Sequence, residues 1–549
     1  MYSEKVPEAI DLSHHLSEVS KARAISPLKG LQKYMTKPGL ITMAGGTPSP
    51  EYFPFSTVSG ETLIPESFPL TAQVILFGAG AGKKEKTTSF TINKWPAHTG
   101  DLNLATALQY SPATGLAALQ KIIQEFSEKV YQPGYKNFTT LIDAGNTDGW
   151  GRAALTLLNQ GDSVLCSEWT YPSALAGIRP WGIKTVPIAM DGQGMRSDSL
   201  RETLASWDEA ERGFKRYVLE LLPARLNALT TYSGPHVMYI IPVGQNPTGA
   251  TMEAQRKKEI YDICVEFDVI IVEDDPYYFL QQSPYVPKDQ RHRRRCLLFD
   301  LDRREVYRST RTEFLEVRFD YQGRVIRLDT FSKTVAPGCR LGWYTCNPQF
   351  AERLERAGET GTAAPCGFSQ VMVASLLLNW HYEGYIRWLR ALRLQYQQRR
   401  DAFIDALADA FQLDMGIEIN GHRKGSLVYH ASLKPERQFS EKSSMRYSKP
   451  LFSFVPPSSG MFVWLKLHLE EHPSYTAVGY KALEFKLWTA LAEHGILFGF
   501  GSMFSASAVT DETKGDGHFR ISFSSTEHDD MKKAASTFAL VLREFMKDQ

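Results

Sequence analysis

The chain lacks most of the features that would place it outside ordinary enzymes. No stretch of its 549 residues approaches the ~18 consecutive apolar residues that a membrane helix needs. Neither sign of charge dominates: 62 Lys and Arg face 61 Asp and Glu, for a net charge of +1. No global field therefore favours nucleic acid or an anionic membrane. Six cysteines (Cys166, Cys264, Cys296, Cys339, Cys346 and Cys366) are scattered without CxxC spacing. That excludes a zinc cluster or disulfide framework and fits a reducing compartment. Residues 1–20 contain Glu4, Glu8, Asp11 and Glu18 and no apolar run, unlike a signal peptide or an Arg-rich transit peptide. The last residues, Met546 to Gln549, form no address tag, and no internal repeat is evident. We therefore expect a cytoplasmic protein with no metal, membrane or nucleic-acid partner.

What is present is a long chain with a large apolar content, 43% hydrophobic, enough for two or three domains. The middle alternates strand-like and helix-like runs. Short buried-strand patterns occur at Ser163 to Glu168, Val237 to Val243, Val269 to Glu273, Arg324 to Leu328 and Leu341 to Cys346. Between them, Thr251 can cap a helix running to Phe267, with Ile260, Ile263, Cys264 and Phe267 at helical spacing. This alternation predicts an α/β sheet of mainly parallel strands, with its site at their carboxyl ends. Further on, Gly460 to Leu467 and His518 to Phe523 alternate like strands. A final helix from about Glu527 carries Met531, Ala535, Phe538, Leu542 and Phe545 on one face. These predict a smaller α+β domain.

The expected division is an N-terminal arm with part of the small domain over 1–105, a large domain over 106–370 and a C-terminal small domain over 371–549. Three segments read as insertions: 61–99, 281–321 and 422–453. The second carries the basic run RHRRR over 291–295, read as a solvated loop because the surrounding charge is balanced.

Four segments carry chemistry, each at a predicted strand end. Asp329 to Arg340 reads DTFSKTVAPGCR. Burial and a nearby cation lower the pKa of an amine such as Lys333 and make it nucleophilic. Arg340 supplies a planar fork for a phosphate, and Thr330 and Ser332 supply hydroxyls. Alone, Lys333 would pass as a loop lysine. Gly244 to Gly249 (GQNPTG) is a tight turn that fixes the amide of Asn246. Glu273-Asp274-Asp275 sets adjacent carboxylates at a strand end, which is costly unless they are paired. A protonated ring nitrogen suits one of them; calcium does not fit, because Pro276, Tyr277 and Tyr278 supply no ligand ladder. Asp275 is read as an outer or surface charge. Gly145 to Trp150 opens a helix, whose free amides suit an anion.

An anion cradle, an amide, a carboxylate and an amine at successive strand ends are the set that a pyridine-ring aldehyde phosphate needs. With LITMAGGTPSPEYFPF (40–55), LQYSPATG (108–115), IPVGQNPTG (241–249), VEDDPYYFL (272–280), DTFSKTVAPGCRLGW (329–343) and PSSGMFVWLKL (457–467), the chain resembles the fold-type I pyridoxal-phosphate enzymes of aminotransferase class I/II. Within them it is similar to fungal aromatic aminotransferases and to α-aminoadipate/kynurenine aminotransferases. The resemblance runs from about Pro27 to the C-terminus, outside the insertions.

The resemblance implies roles. Lys333 would hold pyridoxal 5'-phosphate and shuttle the α-proton, and Asp274 would pair with the ring nitrogen. Asn246 and Tyr277 would bind the ring hydroxyl, and Tyr171 would stack on the ring. Asn146, Thr147, Thr330, Ser332 and Arg340 would cradle the phosphate, and Tyr110 would reach the phosphate of a neighbouring copy, implying a homodimer. Arg520 would fork the substrate α-carboxylate, with Gly46 and Asn246 beside it. The activity implied is transfer of the amino group of an aromatic L-amino acid (Tyr, Phe, Trp) to 2-oxoglutarate by ping-pong chemistry. The alternatives are a 2-aminoadipate/kynurenine aminotransferase, an aminotransferase of a secondary-metabolite pathway, and a decarboxylase or lyase on the same scaffold. A ligand-sensing regulator is disfavoured, because the match leaves no room for a DNA-binding module.

Overall fold

The computed structural model describes residues 6–27, 46–70, 85–207, 234–291, 319–419, 423–434, 449–507 and 516–547. Residues 292–295 of the basic run and residues 40–45 of the first motif lie outside the described residues.

A β-hairpin precedes the large sheet. Its strands, β1 (Thr57–Leu63) and β2 (Thr87–Asn93), pair antiparallel. The segment read as the first insertion is therefore built at its flanks around a packed ribbon. Phe90 and Ile92 are buried, and the Trp380 indole donates to the Leu63 carbonyl at 2.9 Å.

Seven strands then form the central sheet: β3 (Thr139–Asp143), β4 (Ser163–Ser167), β5 (Lys184–Ile188), β6 (Val237–Ile240), β7 (Ile270–Asp274), β8 (Val325–Thr330) and β9 (Gly342–Cys346). Their order is β3-β9-β8-β7-β6-β4-β5. The strands from β8 to β5 run parallel. β9 departs from the expectation for Leu341 to Cys346, because it runs antiparallel to both β8 and β3. The link from Thr330 to Gly342 holds only a short loop, which can return the chain antiparallel but cannot make a crossover. Both faces are covered, which is why these strands are apolar along their length. Helix α1 (Ala117–Tyr131) packs through Leu119, Ile123 and Phe126. Helix α2 (Asn146–Leu157) packs on the other face through Trp150, Ala153, Ala154 and Leu157.

The helix predicted to be capped by Thr251 begins later. It spans Ala254–Glu266, with Glu253 at the N-cap and no side-chain cap. The Thr251 hydroxyl is used elsewhere: it accepts from the Gly244 amide at 3.1 Å and hydrogen-bonds Ser459. Tertiary bonding at the site-side turn has displaced the local cap.

The long helix Gly367–Ala410 breaks at His381 (φ 54°) and leads to a six-stranded antiparallel sheet. Its strands are β10 (Phe411–Ile417), β11 (Leu427–Leu433), β12 (Phe452–Phe454), β13 (Phe462–Leu467), β14 (Gly499–Phe500) and β15 (Gly517–Ser522), in the order β10-β11-β12-β13-β15-β14. Two of these, β11 and β12, come from the segment read as the third insertion. β13 does not alternate in burial: Phe462, Val463, Trp464 and Leu465 are all buried. It is a central strand covered on both sides.

The last helix, His528–Phe545, buries Met531, Ala535, Phe538, Val541, Leu542 and Phe545. Each large side chain there contributes roughly 1.5–3 kcal/mol by leaving water. Arg291 is half-buried and paired, rather than solvated as the sequence reading expects. Its guanidinium forks onto Asp405 at 2.7 and 2.9 Å and its Nε donates to the Val286 carbonyl.

Candidate active site

The site forms where β7, β8 and the β6 turn end, opposite the start of α2 and the face of β15. Asp274 closes β7 and is buried. Two side chains hold it. The Asn146 amide donates to its Oδ1 at 2.7 Å and to the Leu328 carbonyl at 3.1 Å. The Tyr239 hydroxyl donates to Oδ2 at 2.6 Å. Burial raises the Asp274 carboxyl above its ordinary range, opposed by these two donors and by Lys333.

Lys333 lies in the turn after β8. Its ammonium is held below the usual lysine range, first by burial and then by Arg520 and Arg340; Asp274 acts in the opposite sense. An amine poised in this way is a better nucleophile and base near neutral pH.

The turn itself is knitted together. The Thr330 hydroxyl donates to Ser332 Oγ at 2.9 Å, and the Ser332 amide donates to Thr330 Oγ1 at 3.1 Å. Arg340 (φ 45°) is exposed. It reaches the Ala144 carbonyl at 2.8 Å and Ser332 Oγ at 3.3 Å, so it spans the lysine turn and the head of α2. Gly145 (φ 95°) makes this approach possible, since a Cβ there would sit 2.6 Å from Arg340 Nη2.

The Gly244–Gly249 turn is stiffened by Gln245, whose Oε1 accepts from the amide and hydroxyl of Thr248 at 3.0 and 2.6 Å. Asn246 is thereby fixed, and its Oδ1 accepts from Arg520 Nη1 at 2.8 Å. Arg520, on β15, lies 4.4 Å from the Phe462 ring centroid and 4.7 Å from that of Phe504. Burial pushes its guanidinium down, against Tyr277 and Tyr171. Tyr277 is buried, and burial with the nearby Asp274 raises its hydroxyl well above the tyrosine range. Tyr171 caps the helix Pro172–Ile178 and lies within electrostatic reach of Tyr239, Tyr277 and Arg520.

Lys333, Asp274, Asn146, Asn246, Tyr277, Tyr171, Thr330, Ser332, Arg340 and Arg520 are thus brought together from distant parts of the chain. Thr147 sits exposed in the first turn of α2. Tyr110 is 66% exposed on the single chain. Gly46 is exposed, with no heavy atom within 4 Å of where a Cβ would be; in the single chain it stands apart from the others. The Asn146 side chain differs from its expected role, because it is turned onto Asp274 rather than outward to an anion. Asp275 is no surface charge: it is 2% exposed and bonded to Arg327 at 3.0 Å.

Sequence reasoning missed Tyr239, Phe462 and Phe504. Tyr239 had a legible signal, as the one hydroxyl in the apolar strand VMYI. It pairs with Val272, two residues before Asp274, and so shares its face.

Two polar atoms of the cluster, Asn146 Oδ1 and Arg520 Nε, are buried without a hydrogen-bond partner among the described residues. Such atoms are normally satisfied, and both belong to side chains bonded within the cluster, Asn146 to Asp274 and Arg520 to Asn246. Together with a helix start and Arg340 suited to an anion, a buried carboxylate and a lysine of lowered pKa, this donor set fits pyridoxal phosphate.

The family model for aminotransferase class I and II matches residues 72–538. An aromatic amino acid aminotransferase of Schizosaccharomyces pombe is 31% identical over 98% of each chain. An L-tyrosine:2-oxoglutarate aminotransferase of Serpula lacrymans is 32% identical, covering 93% of this chain and 87% of its own. Among solved structures, the aminotransferase Aro8 from Candida albicans superposes with a TM-score of 0.77 at 30% identity, over 99% of this chain and 100% of its own. The chain belongs to the class I and II aminotransferases, a pyridoxal-phosphate-dependent family. Its α/β sheet with an antiparallel second sheet is the fold-type I arrangement that the sequence predicts. No helix among the described residues is long and apolar enough to cross a membrane.

Proposed function

We propose that the protein transfers the amino group of an aromatic L-amino acid to 2-oxoglutarate, using Lys333, Asp274 and Arg520. The observation that carries this reading is the depressed lysine held between a buried carboxylate and two arginines. Bound pyridoxal phosphate supplies an aldehyde and an electron-accepting ring. The protein supplies position and charge. Lys333 would hold the cofactor and act as the base that moves the substrate α-proton. Asp274, oriented by Asn146 and Tyr239, keeps the ring nitrogen protonated. Asn246 and Tyr277 would bind the ring hydroxyl, and Tyr171 would pack against the ring. Thr330, Ser332, Arg340, Thr147 and the amides at the head of α2 hold the phosphate.

Arg520 forks the α-carboxylate common to every amino acid and 2-oxo acid. Since it comes from the second sheet, substrate binding also draws the unit over 371–549 onto the unit over 106–370 and excludes water. Aromatic donors are favoured by the Phe462 and Phe504 rings beside Arg520, and by the names of the relatives that match nearly the whole chain. Exposed Tyr110 suits a contact with a second copy, so the working form is a homodimer in which Tyr110 reaches its partner's phosphate. Gly46 joins the substrate site in that form. We place the protein in the cytoplasm. The test is a panel of amino donors with 2-oxoglutarate, following each oxo-acid product. Turnover of tyrosine and phenylalanine above aminoadipate and kynurenine supports the reading, and the reverse order overturns the aromatic assignment.

A further inference from the structure

Arg327 lies on the face of the large sheet opposite the candidate site. Its guanidinium is wholly buried, with the Tyr131 and Tyr278 ring centroids 4.2 and 4.6 Å away. Nε and Nη2 fork onto Asp329 at 2.9 and 3.0 Å. Nη1 donates to Asp275 Oδ2 at 3.0 Å and also to Glu273. The Tyr131 hydroxyl adds a bond to Asp329 at 2.8 Å.

Strand parity explains this placement. In the parallel pairing of β8 with β7, Arg327 faces Glu273 and Leu328 faces Asp274. Successive side chains alternate between faces. When Asp274 points into the site, both of its chain neighbours point back at Arg327. Asp329 shares that rear face, and its strand runs directly on through Thr330, Phe331 and Ser332 to Lys333.

We propose that Arg327 is a positioning residue for the reaction: from behind the sheet it sets the separation and orientation of Asp274 and Lys333. It holds both neighbours of the carboxylate and the last rear-facing anion before the lysine turn. The proposal rests on the roles given above to Asp274 and Lys333.

Three carboxylates around one guanidinium in a dry interior make the arrangement stiff, because each anion is costly to leave unpaired. Burial drives the Asp329 carboxyl above its ordinary range even against the pull of Arg327. A planar five-donor fork can grip Asp329 bidentately while serving Asp275 and Glu273, a geometry that a point-like ammonium cannot reproduce. Displacing the end of β7 against that of β8 would move the proton carrier relative to the group that holds the ring.

The test is Arg327→Lys in the full-length, cofactor-loaded protein. We expect kcat to fall about tenfold or more, since misplacement by ~1 Å can cost ~100-fold. KM for tyrosine should stay within about twofold, because Arg520 still binds the carboxylate. The visible absorption band of the bound cofactor should also shift, because the groups around it have moved. If only the melting temperature falls, while kcat per bound cofactor and the visible band stay unchanged, the network is packing alone and the proposal is overturned.

Should Arg327→Lys fail to fold, Asp275→Asn decides. It keeps the side-chain shape and the arginine while neutralising one of the three anions, which weakens one tie. The same two readouts should move in the same direction by less, and unchanged values overturn the proposal. Borohydride reduction with peptide mapping separates the two layers of inference. A label away from Lys333 defeats the functional reading. A label on Lys333, with Arg327→Lys behaving like the parent, defeats only the role of Arg327.

Discussion

Arg520 Nη1 donates to Asn246 Oδ1 at 2.8 Å, joining the antiparallel second sheet to the turn that follows β6 of the large one. One arm of the guanidinium is therefore anchored, while its Nε is buried without a hydrogen-bond partner among the described residues. In the role proposed for Arg520, an incoming carboxylate would complete the set. Because donor and acceptor share that carboxylate, Arg520→Ala should impair both half-reactions by about 3 kcal/mol, the upper range for a hydrogen bond to a charged group. Arg520→Lys should recover only part of this, since an ammonium cannot fork. Single-turnover kinetics with tyrosine, and separately with 2-oxoglutarate on the amino form of the enzyme, check it. Loss in one half-reaction alone would mean that Arg520 reads a side chain.

Asp274 and Tyr239 make a graded pair. Asp274→Asn should still bind the cofactor but lose most of its proton-transfer rate, because a neutral amide cannot hold a ring nitrogen protonated. Tyr239→Phe removes a single donor at 2.6 Å. It should cost roughly tenfold in kcat, in line with a hydrogen bond to a charged group worth ~1.5–3 kcal/mol. Near-normal turnover in Asp274→Asn would refute the role given to the carboxylate. Equal losses in the two variants would show that Tyr239 does more than orient it.

Much of this was legible because the chemistry sits at strand ends, and strand ends are marked by abrupt changes in sequence. VMYIIPVGQNPTG, VIIVEDD and RVIRLDTFSK each pass from apolar strand to polar turn, and each delivers side chains to the site. The orientation of those side chains was not legible. The family resemblance makes Asn146 a phosphate ligand, yet its amide is committed to Asp274 across the sheet. Asp275 reads as a spare charge because its partner, Arg327, is 52 positions away in sequence. The antiparallel direction of β9 was hidden for a related reason. A buried strand looks the same in either direction, and only the brevity of the connection carries the information.

Lys333 should also leave a mark on stability. Its folded-state pKa is lowered from the ordinary lysine value by burial, Arg520 and Arg340. For a base, a lowered pKa means that the folded protein binds fewer protons than the unfolded chain, so stability rises with pH across the interval between the two values. Below that interval the charged amine is a full penalty, and above the unfolded value the penalty is gone. In the cofactor-free protein, Lys333→Met should therefore raise the melting temperature at pH 7 and raise it less at pH 10. Thermal melts of both proteins at the two pH values check this, and an advantage that does not shrink with pH would contradict the lowered pKa.

The proposed phosphate cradle depends on a backbone conformation as much as on side chains. Gly145 has φ 95°, a region that residues with a Cβ rarely adopt, and a Cβ there would lie 2.6 Å from Arg340 Nη2. Gly145→Ala should therefore strain the entry to α2 and also push Arg340 away from the Ala144 carbonyl and Ser332. Arg340→Ala removes the guanidinium and leaves the backbone alone. Both should weaken retention of pyridoxal phosphate, since each takes a charge-assisted contact from the phosphate. Gly145→Ala should be the worse, because it also tilts the amides at the helix start. Adding Arg340→Ala to Gly145→Ala should cost less than the sum of the two, as expected for groups acting through one contact. Equilibrium titration of the cofactor-free forms with pyridoxal phosphate measures all three variants, and strict additivity would show that Gly145 and Arg340 serve the cradle independently.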